Sequence, residues 1–226
     1  MKSIYLHLGL GLFFTSCVKD QPQYNVDTGT NYYPTKIGTF VEYDVTEIYH
    51  DGPVNIHDTS VYQLKEIIES EFIDNSGQTT YRIERYKRDS SHHSWQISDV
   101  WSANKSNSRL EKVEENQRFI KLIFPTREGE SWDGNAANNM NPWDYEITGI
   151  DEVKTHGLLN YDSCLTVNQR NFTPGIYFIE RAEEVFAKNI GLVSKYYKVV
   201  TINGIDTADV TGGNELYMTS YLYGIE

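Results

Sequence analysis

A two-residue hydrophobic period, recurring from Gly38 to the end of the chain, restricts the fold more than any other feature of the sequence. In GTFVEYDVTEI, Val41, Tyr43 and Val45 alternate with Glu42, Asp44 and Thr46. Successive side chains of a strand point to opposite faces, so such a segment buries one face and wets the other. WDYEITGI, DSCLTVNQR, GIYFIERA, GLVSKYYKVVTI and NELYMTSYLYGI read the same way. TSVYQLKEIIESEFI fits a helix or a strand, but Asp74–Gly77 and the strand-like TTYRIERYKR follow directly, which makes it half of a hairpin. Asn203 and Gly204 close another hairpin. The 17 Tyr, nine Phe and four Trp suit pleated, half-buried surfaces.

About nine or ten strands with short turns predict an all-β, antiparallel domain built on a strongly curved sheet, as a barrel or a sandwich. At most one or two short helices are expected. IERAEEVFAKN is the predicted helix, because Ala182, Val185, Phe186 and Asn189 fall at helical spacing before Gly191.

The amino terminus follows a different pattern. Lys2, the apolar run Ile4–Phe14 and the small residues Thr15 and Ser16 have the layout of a secretory signal. A bilayer-spanning helix needs about 20 apolar residues, and this run is shorter. Cys17 directly after the small pair resembles the lipobox of bacterial lipoproteins. The resemblance implies that residues 1–16 are a signal peptide and that Cys17 becomes the acylated first residue, carrying diacylglycerol and palmitate-type chains. Each buried methylene adds about 0.8 kcal/mol, so two or three chains anchor a protein durably.

Residues 17–31 then form the acylated cysteine and a polar tether, and 32–226 a single β domain. Lys19 and Asp20 loosely resemble the export tag of Bacteroidota lipoproteins. The expected location is the outer membrane, lipid-anchored, surface-exposed or facing the periplasm. With Cys17 acylated, Cys164 has no intramolecular disulfide partner and reads as a small buried residue.

Removing residues 1–16 takes away Lys2 and no acid, which moves the net charge from −12 to −13. That field repels polyanions, so nucleic-acid binding is not expected. In WDGNAANNMNPWD, Asp133, Asn135, Asn138 and Asp144 offer oxygens of the kind Ca²⁺ takes, although the same residue types make turns. No other cofactor is implied. His50, Asp51, His57 and Asp58 bracket a loop, and His92 and His93 precede Trp95; they read as exposed loop residues.

No Gly-x-Ser-x-Gly turn is present. Carboxylate neighbours such as Glu114/Glu115, Asp151/Glu152 and Glu183/Glu184 are expected by frequency alone among 32 acids. Trp95, Trp101, Trp132, Trp143 and the Tyr196/Tyr197 pair are the candidate ligand-binding residues, as platforms for sugar rings, although large aromatics serve cores first.

YYPTKIGTF and FPTREGESW share an aromatic residue before Pro and a Gly four residues after it, at Pro34/Gly38 and Pro125/Gly129. A shared turn, chance and duplication each account for this echo. The opening at Tyr33–Gly38, WDGNAAN at 132–138 and FAKNIGLVSK at 186–195 resemble a family of uncharacterised Bacteroidota lipoproteins. The resemblance implies β structure and no established activity. The expectation is a lipid-anchored envelope module, non-enzymatic, binding a glycan or a protein. The alternatives are a glycan hydrolase using paired carboxylates and a carrier of an apolar ligand.

Overall fold

The computed structural model describes residues 27–175, 177–204 and 206–226. Cys17, the leader 1–16 and tether residues 17–26 lie outside the described residues. Among the described residues, twelve strands form one antiparallel sheet. In chain order they are β1 (Thr39–Asp51), β2 (Ile56–Ile73), β3 (Thr79–Arg88), β4 (Gln96–Lys105), β5 (Arg109–Glu114), β6 (Gln117–Ile123), β7 (Ser131–Asp133), β8 (Asp144–His156), β9 (Leu159–Phe172), β10 (Phe178–Ala187), β11 (Gly191–Asn203) and β12 (Asp206–Ile225).

The spatial order is β6-β5-β4-β3-β2-β1-β12-β11-β10-β9-β8-β7. Two six-stranded meanders therefore join where the first strand of one pairs with the last strand of the other. The sheet curls into a nearly closed barrel. Its free edges meet through a few bonds: Ile120 N donates to Gly134 O at 2.9 Å, and Trp132 Nε1 donates to Ile120 O at 2.8 Å.

The alternation read in β1 sets the interior. Val41, Tyr43 and Val45 are buried, and Val45 faces Tyr62 on one side and Met218 on the other. Ile147, Leu165 and Val167 are fully enclosed, and burying each such side chain contributes about 1.5–3 kcal/mol. A second apolar cluster, with Tyr161, Cys164, Val185 and Val193, lies where the β8–β9 hairpin reaches β12. There Ser220 Oγ donates to Val193 O at 2.8 Å, so Tyr161 Oη donates to Ser220 Oγ at 2.6 Å.

The predicted helix at 179–189 is strand β10. Ala182, Glu184 and Phe186 alternate with Val185 and Ala187, and both sets are buried, one inside the barrel and one in the second cluster. Apolar residues on both faces erase the period of two and leave a chance helical spacing.

One end of the barrel is stoppered by the segment before β1. Tyr32 and Tyr33 are buried in the main core, and Lys105 Nζ donates to Tyr33 O at 2.7 Å. Residues 27–31, read with the tether from sequence, are bonded to the barrel. Asn189 N donates to Asn31 O at 2.8 Å, Thr126 N to Thr28 O at 3.1 Å, and Lys188 Nζ lies 2.9 Å from Asp27.

Candidate functional site: the open mouth of the barrel

The barrel is open at the end opposite Tyr33. Register places Glu47 beside Ser60 and Leu216, Tyr49 beside Asp58 and Asn214, and Tyr197 beside Leu216. These residues line an open hollow of about 430 Å³. Tyr49 is 50% exposed, so one aromatic face is free at the rim. The lining combines two tyrosine rings with three acidic residues, Glu47, Asp58 and Glu215, and the Asn214 amide, polar groups interleaved with apolar ones.

Beneath it, and sharing Glu47 and Leu216, is a chamber of about 60 Å³ whose walls include Tyr62, Arg85, Trp101 and Lys195. The Arg85 guanidinium sits 3.6 Å from the Trp101 ring centroid, a cation–π contact that strengthens when water is excluded. Burial first, and then the nearby Glu47 carboxylate, push the Tyr62 hydroxyl well above its ordinary range.

Below the chamber the interior is ionic. Glu66 binds Arg85 at 3.0 Å and Lys112 at 2.9 Å. Lys121 bridges Glu114 at 3.5 Å and Glu184 at 2.5 Å, and Lys195 bridges the same two at 3.5 and 3.3 Å. Burial acts to neutralise Glu66 and Glu114. The surrounding cations outweigh it, Lys112 and Arg85 for the first and Lys121, Lys195 and Lys112 for the second, and hold both carboxyls below their usual range. Burial likewise works against the charge of Lys121 and Lys195, yet the facing glutamates raise both above the usual lysine value. Glu66 and Glu114 therefore stay ionised opposite Lys121 and Lys195 at neutral pH, and neither of these two carboxyls is poised to give up a proton near pH 7.

The carboxylate neighbours read from sequence are split apart. Glu114 is inside, whereas Glu115 lies in the next turn and accepts a bond from Trp101 Nε1 at 3.2 Å. Asp151 is tied to Lys188 at 2.5 Å, and Glu152 pairs with Lys154 at 3.2 Å. Glu184 is inside and Glu183 is not. The fold instead brings together Glu114 and Glu184, which are 70 positions apart in sequence.

The four tryptophans are dispersed. Trp101 walls the chamber. Trp143 stacks on Tyr197, with centroids 6.3 Å apart and planes at 20°, so it backs the mouth. Trp132 sits edge-on to Tyr145 at the barrel seam. Trp95 packs under the Arg88 guanidinium, which lies 4.0 Å from its ring centroid, and does not line the hollow.

In the 133–144 loop, Asp133 Oδ1 accepts from Asn135 N at 2.9 Å and Trp143 N at 3.1 Å. Asn135 Nδ2 donates to Asn141 O, and Asn138 bonds Arg118 O and Met140 N. Asp144 is exposed. These side chains brace the loop that carries Trp143. Sequence reasoning reached Trp101, Trp143 and Tyr197. It missed Tyr49 and Glu47, whose only signal was their place on the inward row of β1 beyond Val45.

No family model matches the chain, and no curated protein matches it. Among solved structures, a candidate exported protein of Bacteroides fragilis described as having a YmcC-like fold aligns over 85% of this chain and 98% of its own. The identity is 10% and the TM-score 0.50. The chain has a YmcC-like fold. A candidate lipoprotein of Parabacteroides distasonis aligns over the same shares at 10% identity with a TM-score of 0.41. Likeness at this identity concerns the backbone path, so within the YmcC-like barrel the mouth is defined by this chain's own side chains.

Proposed function

We propose that the protein is a lipid-anchored cell-envelope module, held at the outer membrane through Cys17, whose barrel mouth binds a glycan without transforming it. The observation that carries the reading is the open hollow in which Tyr49 and Tyr197 stand beside Glu47, Asp58 and Asn214. Tyrosine faces accept the apolar side of a sugar ring while carboxylates and amides accept or donate to its hydroxyls. The signal-and-cysteine pattern at residues 1–17 and the fold shared with a candidate exported protein support the envelope setting.

A carrier of apolar ligands would want a dry hollow, and the space below the mouth is walled by Arg85, Glu114 and Lys195. A hydrolase would want one carboxyl kept protonated, and Glu114 is driven the other way. The test is an oligosaccharide array probed with the tag-free exported chain. Capture of defined glycans, lost in Tyr49→Ala, is expected; silence across the array, or capture untouched by that substitution, overturns the reading. Intact mass of the native protein should show residues 1–16 absent and lipid on Cys17.

A further inference from the structure

A histidine pair on the β1–β2 hairpin does not line the mouth, although Glu215, which backs it, does. His50 and His57 are direct cross-strand partners, with Nδ1 atoms 2.8 Å apart and rings edge-on at 65°. His50 is buried and His57 is exposed. On the far side of the His50 ring, Nε2 lies 3.0 Å from Glu215 Oε1. Glu215 also accepts from Tyr217 Oη at 2.6 Å and from Lys198 Nζ at 3.2 Å, so it is held as a carboxylate. A carboxylate only accepts, so His50 carries its proton on Nε2. In the neutral ring, Nδ1 is then a bare lone pair aimed at Nδ1 of His57. Two ring nitrogens at that distance are joined either by an ordinary hydrogen bond from a neutral His57 with its proton on Nδ1, or by a metal ion that both lone pairs bind.

We propose that His50 and His57 form a two-histidine site for a divalent transition-metal ion, with Glu215 orienting the His50 ring from behind. Metal–imidazole bonds are about 2.0–2.1 Å, so two such nitrogens stand about 2.9 Å apart when the angle at the metal is 90°, and about 3.3 Å apart at the tetrahedral angle. The spacing of 2.8 Å fits the right angle. Right-angled nitrogen sites suit copper(II) or nickel(II), with water filling the remaining positions beside the exposed His57. No group of three or more His, Cys, Asp or Glu among the described residues could hold a metal, which leaves this an open site with two protein ligands. The series carboxylate, histidine, metal is the arrangement that fixes tautomer and ring orientation in metalloproteins.

Titration of the tag-free exported chain with one equivalent of copper(II), read by electron paramagnetic resonance, tests the assignment. A tetragonal spectrum with splitting from two equatorial nitrogens is expected. His57→Gln, a change at an exposed position, should abolish that splitting and weaken binding at least 10-fold. Glu215→Gln should weaken it about 10- to 100-fold. The double change His92→Gln/His93→Gln, in an exposed turn, should leave it intact. Absence of bound copper at one equivalent, or wild-type affinity and splitting in His57→Gln, overturns the site.

Discussion

Gly38 and Gly129, 91 residues apart in sequence, hold the same turn in the two halves of the barrel. Gly38 N donates to Ile68 O on β2 at 2.8 Å, and Gly129 N donates to Ile147 O on β8 at 2.8 Å. Each turn closes one residue later with a 3.1 Å bond, Thr39 N to Lys36 O and Glu130 N to Arg127 O. Both glycines are left-handed, at φ 86° and 79°. Each turn leads into the first strand of a six-stranded meander and bonds to its second. The Pro-x-x-x-Gly echo therefore marks the same turn at the entrance to each six-stranded meander.

The two turns differ in what surrounds them, which makes them separable by one substitution each. At Gly129 an added Cβ meets nothing within 4 Å, whereas at Gly38 it would lie 2.3 Å from Glu226 O. Gly129→Ala should cost about 1–2 kcal/mol, the left-handed penalty alone. Gly38→Ala should cost at least about 1 kcal/mol more. Urea unfolding of both variants checks this, and equal losses would contradict it.

Lys121 is the hinge of the interior ion lattice, 4% exposed and in contact with two glutamates. Glu184 Oε2 already lacks a hydrogen-bond partner among the described residues. Lys121→Met should destabilise the barrel by about 3–5 kcal/mol, because it strands buried negative charge. Lys154→Met, which breaks only the exposed contact with Glu152, should cost under about 1 kcal/mol. Comparable losses in the two variants would refute a structural role for the lattice.

The same lattice sets the response to pH. Glu66 and Glu114 titrate below their unfolded values, so their stabilisation is complete above about pH 4–5 and disappears as pH falls through the folded values. Lys121 and Lys195 titrate above theirs, so their stabilisation is complete below about pH 10 and disappears only at higher pH. Urea midpoints should fall steeply below about pH 4–5 and again above about pH 10; between them a shallow decline as pH drops below about 6.5 is expected from His156, whose imidazole is held below its ordinary value first by burial and then by Lys154. A steep change near neutrality would contradict the assignment.

How much of this was readable in the sequence depended on which face a residue serves. β1 was plain because Val41, Tyr43 and Val45 share one face while Asp44 is exposed. β10 was misread because both its faces are covered. The ion lattice was invisible for a related reason. Glu66, Lys112, Glu114, Lys121, Glu184 and Lys195 sit where alternation assigns the core, and each resembles a solvated charge until strands β2, β5, β6, β10 and β11 are brought round the barrel. Nothing local in a sequence records that closure. Trp101 and Trp143 were named as ligand candidates together with Trp95 and Trp132, and only the register separates the two beside the mouth from the two that are not.

The mouth offers a separation of binding from stability. Tyr49 is half exposed and its hydroxyl donates to Asp51 in a long bond of 3.4 Å, so its ring is available to a ligand and contributes little to folding. Tyr49→Ala should lower glycan affinity about 10-fold, equivalent to about 1.4 kcal/mol, and shift the unfolding free energy by less than about 1 kcal/mol. Tyr49→Phe keeps the ring and should keep most of the affinity. Tyr197 is stacked on Trp143, so Tyr197→Ala should lower affinity and also destabilise the barrel by about 2–3 kcal/mol. Calorimetric titration with any glycan captured on the array, paired with urea unfolding of the three variants, reads both quantities. If Tyr49→Phe lost as much affinity as Tyr49→Ala, the ring face would not be the contact; if Tyr49→Ala changed stability alone, the rim would be structural and the ligand would lie elsewhere.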